Sequence, residues 1–404
     1  MWYVRATILI CGVLFVWLDG VPEATSFSAP RPPASRTLLL AHYMPWYVAK
    51  PASPVWGWHW TMNAFEPDKE TKGRRSIASH YYPLIGPYDS GDEAVLEYHL
   101  LLMKVAGIDG VVVDWYGLSD HLDYPILHRN TQRLTQLATK FGLKVAICYE
   151  DQTIPRLVRA GKVHASQRVS HAQAEIAWLQ KHWFGLPGYV QVDGRPLFLS
   201  FGYGGLSDDE WASVLKGMAR PPLYVSEHRR RSVAAGAFDW PIPKEHPRSL
   251  EQFYKDLPRW KVAIPVAFPR FHDVYAEGKA QPSHGRIADD GGNTWKSTLE
   301  RALRARTAVV QLATWNDWGE GTGIEPTVEF GYRDLEVLQR LRAKLVDDTF
   351  AARPADLRLP HQLYRLRVVA RAKPALTPRL EAIARLIAEG SLELARAALQ
   401  RAEG

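Results

Sequence analysis

Two carboxylates, Asp317 and Glu320, stand three residues apart in the stretch Ala313-Thr-Trp-Asn-Asp-Trp-Gly-Glu-Gly-Thr-Gly-Ile-Glu-Pro326. Three residues of chain span at most ~10 Å, so the two acids share one small volume. Like charges held close drive one pKa up, which is how a site keeps one carboxyl protonated beside an ionised one. Such a pair among flat aromatic rings suits hydrolysis of a glycosidic bond. One acid protonates the leaving oxygen, a second carboxylate assists at the sugar, and Trp or Tyr faces cover the apolar face of a pyranose. Gly319, Gly321 and Gly323 exclude a stable helix interior here. The plainer alternative is a glycine-rich turn with solvated acids, but that would leave Trp315 and Trp318 on a solvent-facing loop.

The elements that must position this pair are apolar runs alternating with amphipathic stretches. The runs are Thr37–Tyr43, Gly110–Asp114, Leu143–Tyr149, Pro196–Phe201, Pro222–Ser226, Ala237–Trp240, Lys261–Phe268 and Thr307–Thr314. Helical periodicity falls at Asp92–Ala106, Pro125–Phe141, Gln167–Trp183, Asp208–Met218, Ser249–Leu257 and Asn293–Arg306, with Gly107 and Gly142 as stops just past two of them. Near-continuous apolar strands between helices mean a parallel sheet covered on both faces. Eight such units predict an α/β fold, a closed (β/α)8 TIM barrel. A doubly wound open sheet is the rival, but no Gly-x-Gly-x-x-Gly follows the first run.

A barrel of this kind carries its site at the C-terminal ends of the strands. Strand one ends in His42-Tyr43-Met-Pro-Trp46-Tyr47, strand two in Asp114-Trp115-Tyr116 and strand three in Tyr149-Glu150-Asp151. Strand five ends in Glu227-His228, strand seven in Arg270-Phe-His272, and strand eight carries the acid pair. The long connection Val48–Ser90, with Trp60 and Tyr88, reads as a wall or lid over the cleft, or as a loop packing its Trp residues on helices. The expected substrate-contacting residues are therefore Tyr43, Trp46, Tyr47, Trp60, Tyr88, Asp114, Trp115, Tyr116, Glu150, His272, Asn316, Trp318 and Glu325, around catalytic Asp317 and Glu320.

The 404 residues carry a formal charge of +7, but the basic residues form no block, so no nucleic-acid partner is implied. Met1–Arg5 and the apolar run Ala6–Leu18 read as a signal peptide, too short for a spanning helix, with a Pro-rich lead-in to Pro33. An uncleaved signal anchor is the alternative. The protein is expected to be exported (periplasmic, extracellular or at the cell surface), with no stable membrane insertion after cleavage. Cleavage would leave Cys148 without a disulfide partner, and the histidines lack metal-ligand spacing, so no metal and no cofactor are expected. No Gly-x-Ser-x-Gly elbow or Walker loop occurs. The expected organisation is 1–33 signal and lead-in, 34–346 catalytic barrel, and 347–404 a linker and small C-terminal α-hairpin divided at Pro374 and Pro378.

The stretch Trp315–Pro326 resembles the Trp/Phe-Asn-Glu-Trp-x-Glu-Gly-Thr-x-Ile-Glu motif of glycoside hydrolase family 99, the endo-α-mannosidases. His42-Tyr-Met-Pro-Trp-Tyr47, His80-Tyr-Tyr-Pro-Leu-Ile-Gly-Pro-Tyr88, Asp114-Trp115-Tyr116 and Tyr149-Glu150 are similar to further segments of that family, in order, from about Leu38 to Lys344. The resemblance implies that Glu320 is the general acid/base. It implies that Asp317 engages the sugar 2-hydroxyl, with net retention through an epoxide-like intermediate, and that Glu150, Tyr43 and Tyr47 line the subsite of the reacting sugar. Asp317 stands where that family has Glu; one methylene fewer moves the carboxylate roughly 1.5 Å. Trp-Asn-Asp-x-Gly-Glu also resembles family 71, the α-1,3-glucanases. The expected function is a retaining, endo-acting hydrolase of an α-mannan or α-glucan type carbohydrate. The alternatives are a carbohydrate-binding or polysaccharide-assembly protein on the same barrel, without catalysis, and a structural envelope protein using the barrel as a spacer.

Overall fold

Eight parallel strands form the barrel, in a computed structural model that describes residues 36–403. The signal-peptide reading of residues 1–33 lies outside the described residues. The strands are β1 Leu38–Tyr43, β2 Gly110–Trp115, β3 Lys144–Tyr149, β4 Arg195–Ser200, β5 Leu223–Glu227, β6 Gly236–Phe238, β7 in two pieces (Val262–Ile264 and Val266–Ala267) and β8 Val309–Leu312. Pro265 has no N–H to give a ladder, so β7 divides there. Its first piece pairs with β6 and its second with β8, while Gln311 N donates to the Pro265 carbonyl at 3.0 Å. The other neighbours run β6-β5-β4-β3-β2-β1-β8, which closes the ring and bears out the barrel read from the sequence.

Both faces of each strand are buried, which is why the runs are continuously apolar. Leu40, Val112, Ala146, Leu199, Ile264 and Val309 fill the inside. Leu39, Val111, Val113, Ile147 and Leu312 face the helices. The longer helices of the barrel are α1 Glu93–Ala106, α2 Tyr124–Lys140, α3 Arg168–His182, α4 Asp208–Lys216, α5 Arg248–Asp256, α6 Asn293–Arg304 and α7 Arg333–Leu345, with short helical turns at Trp58–Thr61 and Thr153–Arg159. Asp92 caps α1 by accepting from Ala94 N at 3.0 Å, and Gly107 ends it in the left-handed conformation, φ 86°.

The C-terminal region differs from the expected hairpin. It has three helices: α8 Leu359–Ala370, α9 Thr377–Ala388 and α10 Leu392–Glu403. Gly390, at φ +78°, breaks what the periodicity reads as one helix after Pro378. Arg367 of α8 holds Glu97 of α1 through two hydrogen bonds, 2.7 and 2.8 Å, so these helices pack on the outer layer of the barrel. Among the described residues no helix is long and apolar enough to cross a membrane.

Candidate active site

The chain leaving β8 folds back on itself. Thr314 N donates to Thr322 O (3.1 Å), Ile324 N to Thr314 O (3.0 Å) and Trp315 N to His42 O (2.7 Å). The loop is clasped from the β7 side by His272 N on Glu320 O (2.8 Å) and Val274 N on Gly319 O (3.0 Å). That clasp explains Gly321: it sits at φ +67°, and a Cβ there would lie 2.6 Å from the His272 carbonyl. Inside the loop, Asp317 Oδ1 accepts from Glu320 N at 3.0 Å, and Thr314 Oγ1 accepts from Asp317 N at 2.8 Å. Both acids are thus fixed by one short turn at the mouth of the barrel.

Burial separates their chemistry. Desolvation raises Asp317 to about 6, held there by the N–H groups of Glu320 and Gly319, which favour its charge. Glu320 goes well above the ordinary carboxylate range, by burial first and then by the negative charges of Asp317, Asp273 and Glu227. Its Oε2 is buried with no hydrogen-bond partner, and Tyr275 reaches its Oε1 only at 3.5 Å. Two further acids extend the set, Asp114 beside the pair and Glu150 beside Asp114. Asp114 is pushed well up by burial, then by Glu150 and Asp317. Glu150 is raised to about 8 by burial, against the pull of Arg156.

The structure sorts the expected residues into three groups. Asp114, Tyr116, Glu150, Asp317, Glu320 and Tyr47 interact as one charged and phenolic set. Trp46 lies beside it, 6.2 Å from the Tyr116 ring and stacked on His59 at 4.2 Å. His272 lies at the rim, half-buried and stacked face to face on His80 at 3.7 Å. A second group supports the first from behind. Asn316 accepts from Met44 N (2.8 Å) and donates to Met44 O (3.0 Å), and Tyr47 Oη accepts from Trp318 N at 3.0 Å. Tyr88 Oη accepts from Asn316 and Trp318 (3.1 Å each) and donates to the fully buried Glu325 at 2.7 Å. Trp60, also fully buried, donates to Tyr88 O at 2.8 Å and packs on Tyr47, so the Val48–Ser90 connection is a packed wall at this point.

The third group corrects the sequence reading. Tyr43 and Trp115 end their strands on the face turned to the helices. Tyr43 bonds His99 at 2.9 Å, and Trp115 packs on Trp178 and Trp183 and donates to His128 at 3.2 Å. Successive side chains of a strand alternate between faces, so an aromatic strand end is not by itself a cleft residue. Glu227 and Tyr275, absent from the expected set, do belong to it. Glu227 is buried with a raised pKa and accepts from Gly202 N at 2.9 Å. Its place at the end of β5 was a sequence signal, whereas Tyr275 sits in a loop with none. The expected absence of a metal set also meets a structural fact: His42, Asp114 and Cys148 bring one ligand atom each to within 4.8 Å of one another. They come from three strands, so no local spacing could reveal them. A cavity of about 1050 Å³ opens elsewhere, between Lys104, Phe141 and the C-terminal helices, and contains none of these residues.

No family model matches the chain. It is similar to the glycoprotein endo-alpha-1,2-mannosidase-like protein of Danio rerio, 24% identical over 297 residues, which cover 64% of this chain and 62% of that protein. The glycoprotein endo-alpha-1,2-mannosidase of Xenopus laevis is 21% identical over 284 residues, 62% of this chain and 59% of its own. The chain thus spans about three fifths of those two relatives. The corresponding mouse endo-alpha-1,2-mannosidase-like protein is 24% identical, with 76% and 75% covered. Among solved structures, the GH99 endo-alpha-mannosidase of Bacteroides thetaiotaomicron superposes with a TM-score of 0.60 at 19% identity, covering 78% of this chain and 98% of that one. These matches bear out the resemblance to family 99, and the superposition shows the shared fold.

Proposed function

We propose that the chain is an exported, retaining endo-α-glycosidase acting on an α-linked mannan or glucan, with Glu320 as acid/base and Asp317 as the carboxylate at the sugar 2-hydroxyl. The observation that carries this is the unlike setting of two buried acids on one turn: Asp317 accepts from Glu320 N at 3.0 Å, while Glu320 Oε2 is buried with no partner. The N–H groups of Glu320 and Gly319 favour the charge of Asp317, at about 6, while burial and the neighbouring charge of Asp317 favour the protonated form of Glu320. That is the division of labour an acid and a base require. The resemblance to the endo-alpha-1,2-mannosidases supports the substrate class. The Met1–Leu18 segment supports export.

In the first step Asp317 takes the proton of the 2-hydroxyl as O2 closes on C1. The glycosidic C1–O bond breaks, and the leaving oxygen takes the proton of Glu320. In the second step Glu320 removes a proton from water as its oxygen adds to C1. The C1–O2 bond opens and O2 recovers the proton held by Asp317. Two inversions at C1 give retention, and both acids return to their starting states. Closure of O2 on C1 needs O2 and the leaving oxygen on opposite faces, as in an α-mannoside. On an α-glucoside they are cis, and Asp317 would have to act on C1 directly. The test is turnover of α-mannan and α-glucan by wild type, Glu320→Gln and Asp317→Asn; full activity of either variant would sink the assignment. The binding-only reading has one observation in its favour, the short Asp317 side chain tied back to Glu320 N. Glycan binding with no turnover by any preparation would select it.

A further inference from the structure

We propose that His42, Asp114 and Cys148 bind one zinc-like divalent ion at the floor of the cleft. The three side chains come from adjacent strands β1, β2 and β3. Asp114 and Cys148 are direct partners across the β2–β3 ladder, and His42 pairs with Val112, two residues before Asp114. All three are buried, with exposures of 0%, 3% and 0%. Their nearest ligand atoms lie within 4.8 Å of one another. Ligand atoms around tetrahedral zinc sit about 3.3–3.8 Å apart, so closure needs a movement of about 1 Å.

A buried free cysteine is ordinarily a small inert hydrophobe, and the case rests on what surrounds this one. Gln311 Nε2 donates to Asp239 O at 3.2 Å, which fixes the orientation of the amide. Its Oε1 then faces His42 Nδ1 at 3.3 Å and must accept from it. The imidazole proton is therefore on Nδ1, and Nε2 presents a bare lone pair. That Nε2 is buried and has no hydrogen-bond partner, and the same is true of Asp114 Oδ1. Two unpartnered acceptors beside a thiol are costly in a protein interior unless something electron-poor joins them. An imidazole whose far nitrogen is held by an amide oxygen is also the usual arrangement behind a metal ligand. A thiolate, an imidazole and one carboxylate select zinc or cobalt over magnesium or calcium. Bound as carboxylate and thiolate, Asp114 and Cys148 carry two negative charges that balance the two positive charges of the ion. This proposal is independent of the glycosidase reading, because its test reads the metal directly.

The experiment uses the full-length, tag-free chain, stripped with a chelator and titrated with Co²⁺. The expected result is about one equivalent bound, with a near-ultraviolet thiolate-to-cobalt charge-transfer band that zinc abolishes. Cys148→Ser is expected to lose the band while circular dichroism and melting confirm the fold; if it does not fold, Cys148→Ala carries the same comparison. Gln311→Leu is expected to weaken cobalt binding about 10–100-fold, the usual effect of losing an orienting partner. A wild-type spectrum without the band, or a band that survives in a folded Cys148 variant, overturns the proposal.

Discussion

Replacing Asp317 by Asn is expected to stabilise the protein at neutral pH and to leave it unchanged in acid. Asp317 rises from 3.8 to about 6 on folding, because burial disfavours its charge more than two backbone N–H groups favour it. A folded-state pKa above the unfolded one means the folded chain binds the extra proton. Stability is then lost as pH rises from about 4 through about 6. At 1.36 kcal/mol per pKa unit the shift amounts to ~3 kcal/mol above that window. Asn carries no charge, yet its Oδ1 can still accept from Glu320 N, as Asp317 does at 3.0 Å. Relaxation around the acid pair reduces the recoverable part to ~1.5–3 kcal/mol. With an unfolding entropy of ~2 cal/mol/K per residue, a chain this long gains ~2–4 °C in Tm. The assay is differential scanning calorimetry of both proteins at pH 7.5 and pH 4. A variant less stable at pH 7.5, or equally stabilised at both pH values, would refute the electrostatic reasoning.

Other expectations follow from the same geometry. The activity profile should rise as pH increases through about 6, where Asp317 ionises, and fall at higher pH as Glu320 loses its proton; an acid limb near pH 4 would contradict the burial argument. Glu320→Gln should lower kcat on the order of 10²–10⁴-fold, and less on aryl glycosides whose leaving group needs no protonation. Trp115→Ala should cost ~3–5 kcal/mol by chemical denaturation while KM stays unchanged, because Trp115 packs against the helix layer. Tyr47→Phe leaves the buried Trp318 N without its acceptor and should cost ~1–3 kcal/mol, with a loss of activity as the turn loosens.

The barrel was legible because its strands are buried on both faces and so write themselves as unbroken apolar runs; each such run became a barrel strand. Helix ends were legible where glycine takes the left-handed conformation, as at Gly107 and Gly142. The same continuity hides the period-two signal that tells the inner face from the outer. Tyr43 and Tyr47 therefore looked alike, although one points to α1 and the other to Asp317. Asp317 and Glu320 could be placed together because their proximity is local. The Tyr88–Glu325 bond joins residues 237 apart in sequence and, like the His42, Asp114 and Cys148 cluster, exists only once the strands close. Gly390 went unread because the sequence on either side of it keeps a helical rhythm.

The most direct test of the central claim is a proton NMR time course of an α-linked mannan digested by wild type and by Glu320→Gln. The acid pair predicts that the α-anomer of the new reducing end appears first with wild type, and that its formation nearly stops in the variant. A β-anomer appearing first, or undiminished turnover by Glu320→Gln, would contradict it.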